Sequence, residues 1–158
     1  RILAMMYMEE TYTLPEGHTL KPGDHVKMEI DWKRRYALMR LHFAAELILE
    51  IVTQCFHFEK VGAHISEHKA RIDFVAPSNV SACFDVILSK YQEIIEQDFS
   101  IETGYDDEAT QRRYWKIEGF AKVPCGGTHV KSTGEVGLVR LKRVNIGGGK
   151  ERIEIRLI

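Results

Sequence analysis

The sequence predicts an α+β domain in which a mainly antiparallel sheet packs with two long helices. Two stretches, about 33–56 and 80–95, keep apolar residues at the three- and four-residue spacing of a helix. Around them lie short runs broken by glycine, proline and asparagine, which read as strands and hairpins. Helices and strands do not alternate regularly, so the pattern points away from a parallel βαβ arrangement.

Residues 1–31 read as strands and loops leading into a domain over 32–158. They hold turn signals at Pro15-Glu16-Gly17 and Pro22-Gly23-Asp24, and Val26, Met28 and Ile30 alternate with Lys27 and Glu29 as in a strand. From Lys33 to Phe56 there is neither glycine nor proline. Leu38, Leu41, Ala45, Ile48 and Val52 form an apolar stripe, and Arg35, His42, Glu46, Glu50 and Thr53 line another face. Residues 61–75 read as a hairpin, with Ala70, Ile72 and Phe74 on one side of its second strand. Pro77-Ser78-Asn79 reads as a helix start. Val80, Cys83, Phe84, Ile87, Leu88, Tyr91, Ile94 and Ile95 follow at helical spacing. Asp106 to Arg113 is expected to be a short third helix and Tyr114 to Phe120 a strand. Leu138 to Ile146 and Arg152 to Ile158 read as two more strands, joined by Gly147-Gly148-Gly149-Lys150.

At 158 residues and 44% hydrophobic content the chain can bury one core. No apolar run approaches the roughly 18 residues of a membrane span, and no secretory leader pattern is visible. The chain begins at Arg1 rather than Met, which leaves room for a longer natural N-terminus. Three cysteines at scattered spacing do not make a disulfide framework, so a reducing, cytoplasmic setting is expected. Cys55 and Cys83 lie in apolar helical patterns and read as core. Net charge is −1, but from Lys122 to the C-terminus eight Lys or Arg face only three Glu. Such a basic stretch suits a polyanion; an ordinary solvated strand face accounts for it equally well.

The strongest local signal is Pro124-Cys125-Gly126-Gly127-Thr128-His129. A thiol and an imidazole four residues apart suit half of a zinc site, because zinc takes sulfur and nitrogen ligands in tetrahedral geometry. His42 and Glu46 are also four apart, on one helical face. His42, Glu46, Cys125 and His129 would complete four ligands. If Glu46 stands back, three remain and the fourth position is open to water, as in catalytic zinc sites. The plain alternatives are a core cysteine beside a surface histidine, and a polar stripe with an i,i+4 hydrogen bond. Gly147 to Lys150 lacks the spacing of a phosphate loop and reads as a tight hairpin connection.

Taken in order, these segments are similar to a known family. Cys125-Gly126-Gly127-Thr128-His129-Val130 with Thr133-Gly134-Glu135-Val136-Gly137 resembles the second metal motif of the alanyl-tRNA synthetase editing domain, shared by the freestanding AlaX-type editing proteins. Ile30-Asp31-Trp32-Lys33-Arg34-Arg35-Tyr36 and Met39-Arg40-Leu41-His42 resemble the approach to its His-x3-His helix. Gly62 to Glu67 with Lys69 to Phe74 resembles the following hairpin, and Gly147 to Glu154 the terminal glycine turn and strand. The resemblance implies the editing-domain fold of class II alanyl- and threonyl-tRNA synthetases. It implies hydrolysis of serine or glycine from a mischarged alanine tRNA with zinc as cofactor, and it puts His42, Cys125 and His129 on ligand positions. Two positions depart from the family: Glu46 replaces the second histidine, and Phe43 stands where a threonine is usual. Glu46 is then either a fourth ligand or a base. Glu67 is expected to orient substrate amine or water. Lys142, Arg143, Lys150 and Arg152 are expected to meet tRNA phosphates. The leading expectation is a trans-acting deacylase. The alternative is a non-catalytic tRNA- or zinc-binding module derived from the same fold.

Overall fold

The structure is a computed structural model that describes residues 13–158; residues 1–12, the start of the lead-in segment, lie outside the described residues. The chain divides into two units at Ile30 and Asp31. In the first, the backbone turns at Pro15–His18 and again at Lys21–Asp24, where the Asp24 carboxylate accepts the Lys21 N–H at 2.7 Å. The strand expected over Val26–Ile30 does not form. Alternation makes a strand only where a neighbour completes the hydrogen-bond ladder and covers one face. Among the described residues nothing pairs with this segment, and Val26, Met28 and Ile30 are exposed.

The second unit opens with α1, Trp32–Phe56, on the segment the periodicity predicts. Asp31 caps it by accepting the Arg34 N–H at 3.0 Å, and His57 ends it in the left-handed conformation. From Leu41 to Val52 the helix is buried nearly all round, through Phe43, Ala44 and Leu47 as well as the apolar stripe. It is therefore the centre of the domain, not a surface helix. Strands β1 (Glu59–Ile65) and β2 (Ala70–Val75) form the expected hairpin. A short turn of 3-10 helix, Val80–Cys83, capped by Asn79, leads into α2, Phe84–Glu96.

The short helix expected over Asp106–Arg113 is instead the tip of a hairpin between β3 (Glu102–Asp107) and β4 (Arg112–Ile117). The Asp107 carboxylate accepts the Ala109 N–H at 2.9 Å, and Gln111 takes a positive φ of 55°. Aspartate offers the chain a local turn in place of a helix, and an isolated stretch this short and polar has no apolar face to dock. The strand expected over Tyr114–Phe120 is real as far as Ile117, then turns into β5 (Ala121–Pro124). Strands β6 (Val139–Gly147) and β7 (Lys150–Leu157) close the chain as a tight hairpin.

The strands make two antiparallel sheets, one ordered β1-β2-β7-β6 and one ordered β3-β4-β5. Ala70, Ile72 and Phe74 of β2 and Ile153 and Ile155 of β7 are buried in one core with α1 and α2. Trp115 of β4 enters that core from the smaller sheet, its ring 5.1 Å edge-on from Phe43. Among the described residues no helix is long and apolar enough to cross a membrane, and Cys55, Cys83 and Cys125 are all free thiols.

Candidate metal centre

The loop after β5 runs against α1, and this brings Cys125, His129 and His42 together. Their ligand atoms all lie within 4.8 Å of one another, so the group could hold a metal ion. Cys125 Sγ is 3.5 Å from His42 Nε2. A tetrahedral zinc with sulfur at about 2.3 Å and nitrogen at about 2.0–2.1 Å requires an S···N separation of about 3.5 Å, so the residues fit such an ion. A second observation agrees. Both ring nitrogens of His129 are buried and without any hydrogen-bond partner, an arrangement that costs stability unless something binds them.

Glu46 stands beside the three. Its Oε1 is 3.5 Å from His42 Nε2 and 4.0 Å from Cys125 Sγ, while its Oε2 accepts the Trp115 indole N–H at 3.1 Å. Phe43 is fully buried, edge-on to both Trp115 and His129, so this position supplies packing and offers no hydroxyl. Glu67 lies on the β1–β2 turn, 3.2 Å from Arg34 Nε at the start of α1, and is not among the gathered donors.

The electrostatics follow from this crowding. The Cys125 thiol and the Glu46 carboxylate beside it raise the His42 imidazole to about 9. Burial pushes the Cys125 thiol up, but the His129 and His42 rings and the Gly127 N–H outweigh it and bring the thiol down to about 6. Burial likewise works against the Glu46 carboxylate, yet His42 and Trp115 hold it below its usual range. Thiol and carboxyl are thus favoured as the anions a metal requires, whereas His42 holds its proton and must give it up before its nitrogen can ligate.

Gly127 makes the approach possible. A Cβ on it would lie 1.9 Å from His42 Cε1, so the loop backbone passes directly over the imidazole; at Gly126 the same atom would meet nothing. The second half of the motif, Thr133 to Gly137, holds the loop in place. The fully buried Thr133 hydroxyl donates to the Ile94 carbonyl at 2.7 Å and accepts the Phe99 N–H at 2.9 Å. Glu135 accepts the Lys131 N–H and the Tyr36 hydroxyl, and Arg40 donates to the Val136 carbonyl.

Beside the donors lies a cavity of about 200 Å³ lined by Arg35, Leu38, Met39, His42, Ile65 and Thr128. Arg35 donates to the Thr128 hydroxyl at 2.6 Å, and Arg113 donates to the Gly126 carbonyl at 3.2 Å. The sequence did not single out Trp115, Arg113 or a role for Arg35 at the cavity. Arg35 shares a helical face with His42, which is the one signal that pointed to it. A larger cavity of about 300 Å³ between α1, α2 and the 118–120 turn lies apart from the donors.

Of the residues expected to meet nucleic acid, Arg143 is held by Glu151 through two hydrogen bonds of 2.5 and 2.6 Å. Arg152 is held by Asp73 through two of 2.6 and 2.9 Å. Lys142 is exposed on β6, opposite Glu154, and Lys150 is exposed at the start of β7.

Comparison with known proteins agrees with the geometry. The family described as threonyl and alanyl tRNA synthetase second additional domain matches residues 113–154, which include Cys125 and His129. A protein named alanyl-tRNA editing protein AlaX-M from Pyrococcus horikoshii is 33% identical over 92% of this chain and 68% of its own length. The AlaX-M protein of Methanosarcina mazei is 28% identical over 87% of this chain and 64% of its own. The alanine–tRNA ligase of Pyrobaculum aerophilum is 31% identical over 82% of this chain, matched to 17% of that longer enzyme. The chain thus spans about two thirds of the length of the AlaX-M proteins it matches.

Proposed function

This chain belongs to the AlaX-M alanyl-tRNA editing family, and on that premise we propose that it is an aminoacyl-tRNA deacylase acting on mischarged alanine tRNA. The observation that carries the proposal is the gathered set His42, Cys125 and His129, with both His129 nitrogens buried and unpartnered. These three residues would hold zinc. The chemistry zinc supplies when bound is Lewis acidity toward an ester carbonyl and a lowered pKa for water.

The chain's own groups do the rest. Trp115 fixes one oxygen of Glu46 and leaves Oε1 facing His42 and Cys125. In this reading Oε1 takes a proton from the attacking water and returns it to the leaving ribose oxygen. Water adds to the ester carbon, the bond to the ribose breaks, and free amino acid and a tRNA 3′-hydroxyl result. Glu46 standing outside the group gathered within 4.8 Å supports the base role over the ligand role. The small cavity lined by Leu38, Met39 and Ile65 suits a small aminoacyl group, with the Thr128 hydroxyl and the Arg35 guanidinium at its edge. Glu67, on its exposed turn, serves through Arg34 to hold the hairpin against the start of α1. Lys142 and Lys150, both exposed, would bring positive charge to the tRNA backbone, whereas Arg143 and Arg152 are taken up by Glu151 and Asp73. A reducing cytoplasmic setting suits the free Cys125.

The test is release of labelled serine and glycine from mischarged alanine tRNA, alongside elemental analysis of the same protein. About one zinc per chain and release of serine or glycine, with correctly charged tRNA spared, are expected. Binding of tRNA without any release would replace this reading with the non-catalytic module.

A further inference from the structure

The register of the larger sheet sorts the basic residues of the C-terminal stretch in a way their order does not. Ile72, Phe74, Ile153 and Ile155 face the core. The residues that alternate with them share the opposite face: Arg71, Asp73 and Val75 on β2, Lys150, Arg152, Glu154 and Arg156 on β7, Arg140, Lys142 and Val144 on β6, and Glu59 and His64 on β1. Lys69 reaches the same face, because its ammonium pairs with the Glu154 carboxylate. Seven Lys or Arg therefore stand there, against Glu59 on the edge strand and two acids within the sheet.

The two acids are sunk among the cations. Asp73 is 7% exposed and Glu154 8%. Asp73 is covered by Arg152 and by Arg71, at 2.6 and 2.5 Å, and Glu154 by Lys69. What faces outward is a surplus of cations. Arg140 sits directly opposite Arg156 across the β6–β7 ladder, with Lys142 two residues along. All three are exposed, and none has an ion-pair partner among the described residues. Like charges directly opposite one another in a sheet are unfavourable, and a purely structural strand face would place an acid at one of these positions.

We propose that this outer face of the four-stranded sheet is a docking surface for the phosphate backbone of a base-paired RNA stem. Four of its seven cations are arginine, whose planar fork suits phosphate oxygens. Their spacing of about 5 Å between strands and about 7 Å along them makes a flat cationic grid. A grid of this kind can follow the backbone of a helix that proteins read by shape. An anionic membrane would call for bulky apolar anchors beside the charges, and among the described residues the strand register puts only the short side chains Val75 and Val144 beside them. Arg143 shares the face of Ile153 and is occupied by Glu151, so it is not part of the surface. The identification of the RNA as a tRNA stem rests on the editing reading; the surface itself does not.

The experiment measures binding of unacylated alanine tRNA to the full chain across a salt series. The double variant Arg140→Gln/Arg156→Gln is compared with Arg140→Lys/Arg156→Lys and with Lys90→Gln, an exposed lysine on α2 outside the sheet. Loss of two phosphate contacts should lower the slope of log affinity against log salt by about two and weaken binding at least tenfold at moderate salt. The lysine pair should restore the slope, which separates charge from fold. Hydrolysis of 3′-O-seryl-adenosine, which has no stem, should be unchanged in all variants. An unchanged slope in the glutamine pair overturns the surface. So does a larger effect from Lys90→Gln, or binding to phosphatidylserine vesicles that exceeds binding to tRNA. If seryl-adenosine is not hydrolysed by any form while the tRNA slopes behave as stated, the surface stands and the deacylase reading falls.

Discussion

Gly126-Gly127 and Gly147-Gly148-Gly149 look alike in the sequence and use the missing side chain for different reasons. Gly127 is needed for space, since the His42 ring lies where its Cβ would be. The later three have nothing within 4 Å of that position and are needed for backbone freedom, with φ of 78°, 59° and 70°. One cluster sits under a gathered set of donors; the other turns a hairpin in open solvent. The same letter therefore marks a site in one place and a connection in the other, and the neighbouring structure decides which.

The sharpest way to break this comparison is Gly127→Ala. The added methyl must displace His42, so metal content should fall to near zero and deacylation with it. Elemental analysis and a deacylation assay check this, and retention of both would mean that the loop can move away at little cost. Glu46→Gln asks what the loop is packed there to serve. Metal content should stay near one per chain while the rate falls by roughly 10²–10⁴-fold, the usual scale for a general base. Loss of metal instead would make Glu46 a ligand, and wild-type values of both would remove it from the site.

The hairpin side should respond in stability, not in metal. Arg152→Ala leaves Asp73 buried with one partner fewer and should cost about 1–3 kcal/mol in chemical unfolding. Arg152, Arg143 and Lys69 hold Asp73, Glu151 and Glu154 respectively below the usual carboxylate range. Because their folded values are depressed, the stability these carboxylates add is present above about pH 4, near the unfolded carboxylate values. It is lost as pH falls through the lower folded ones. The melting temperature should therefore be level near pH 6 and drop below about pH 4, less steeply in the Arg152 variant. The smallest effect is expected at Gly148→Ala, where an alanine in the left-handed region costs about 1–2 kcal/mol and metal content stays unchanged. A loss of metal there would tie the two glycine clusters together and end the distinction.

Both long helices and both outer hairpins were legible because each carries its own period and its own punctuation. The hairpin tip at Asp106–Arg113 was not, since its helix-compatible polar residues gave no sign that β4 would pair with β3 and β5. Val26–Ile30 erred the other way, as a strand pattern without a described neighbour to complete it. In the site, His42, Glu46, Cys125 and His129 were readable from residue type and spacing. Trp115 was not, because a tryptophan in a strand reads as core until its indole N–H is seen to meet Glu46.

By itself, the sequence determined which groups are able to bind metal and which segments are helices or hairpins. Those properties reside in side-chain chemistry and in neighbours three or four residues apart. Only the tertiary structure decided that Cys125 and His42, 83 positions apart, lie 3.5 Å from each other. Only it showed that Arg143 and Arg152 are occupied by carboxylates while Arg140 and Arg156 have no ion-pair partner among the described residues. Charge pairing and close approach depend on strand register and loop path, and these are set by the packing of the whole domain around α1.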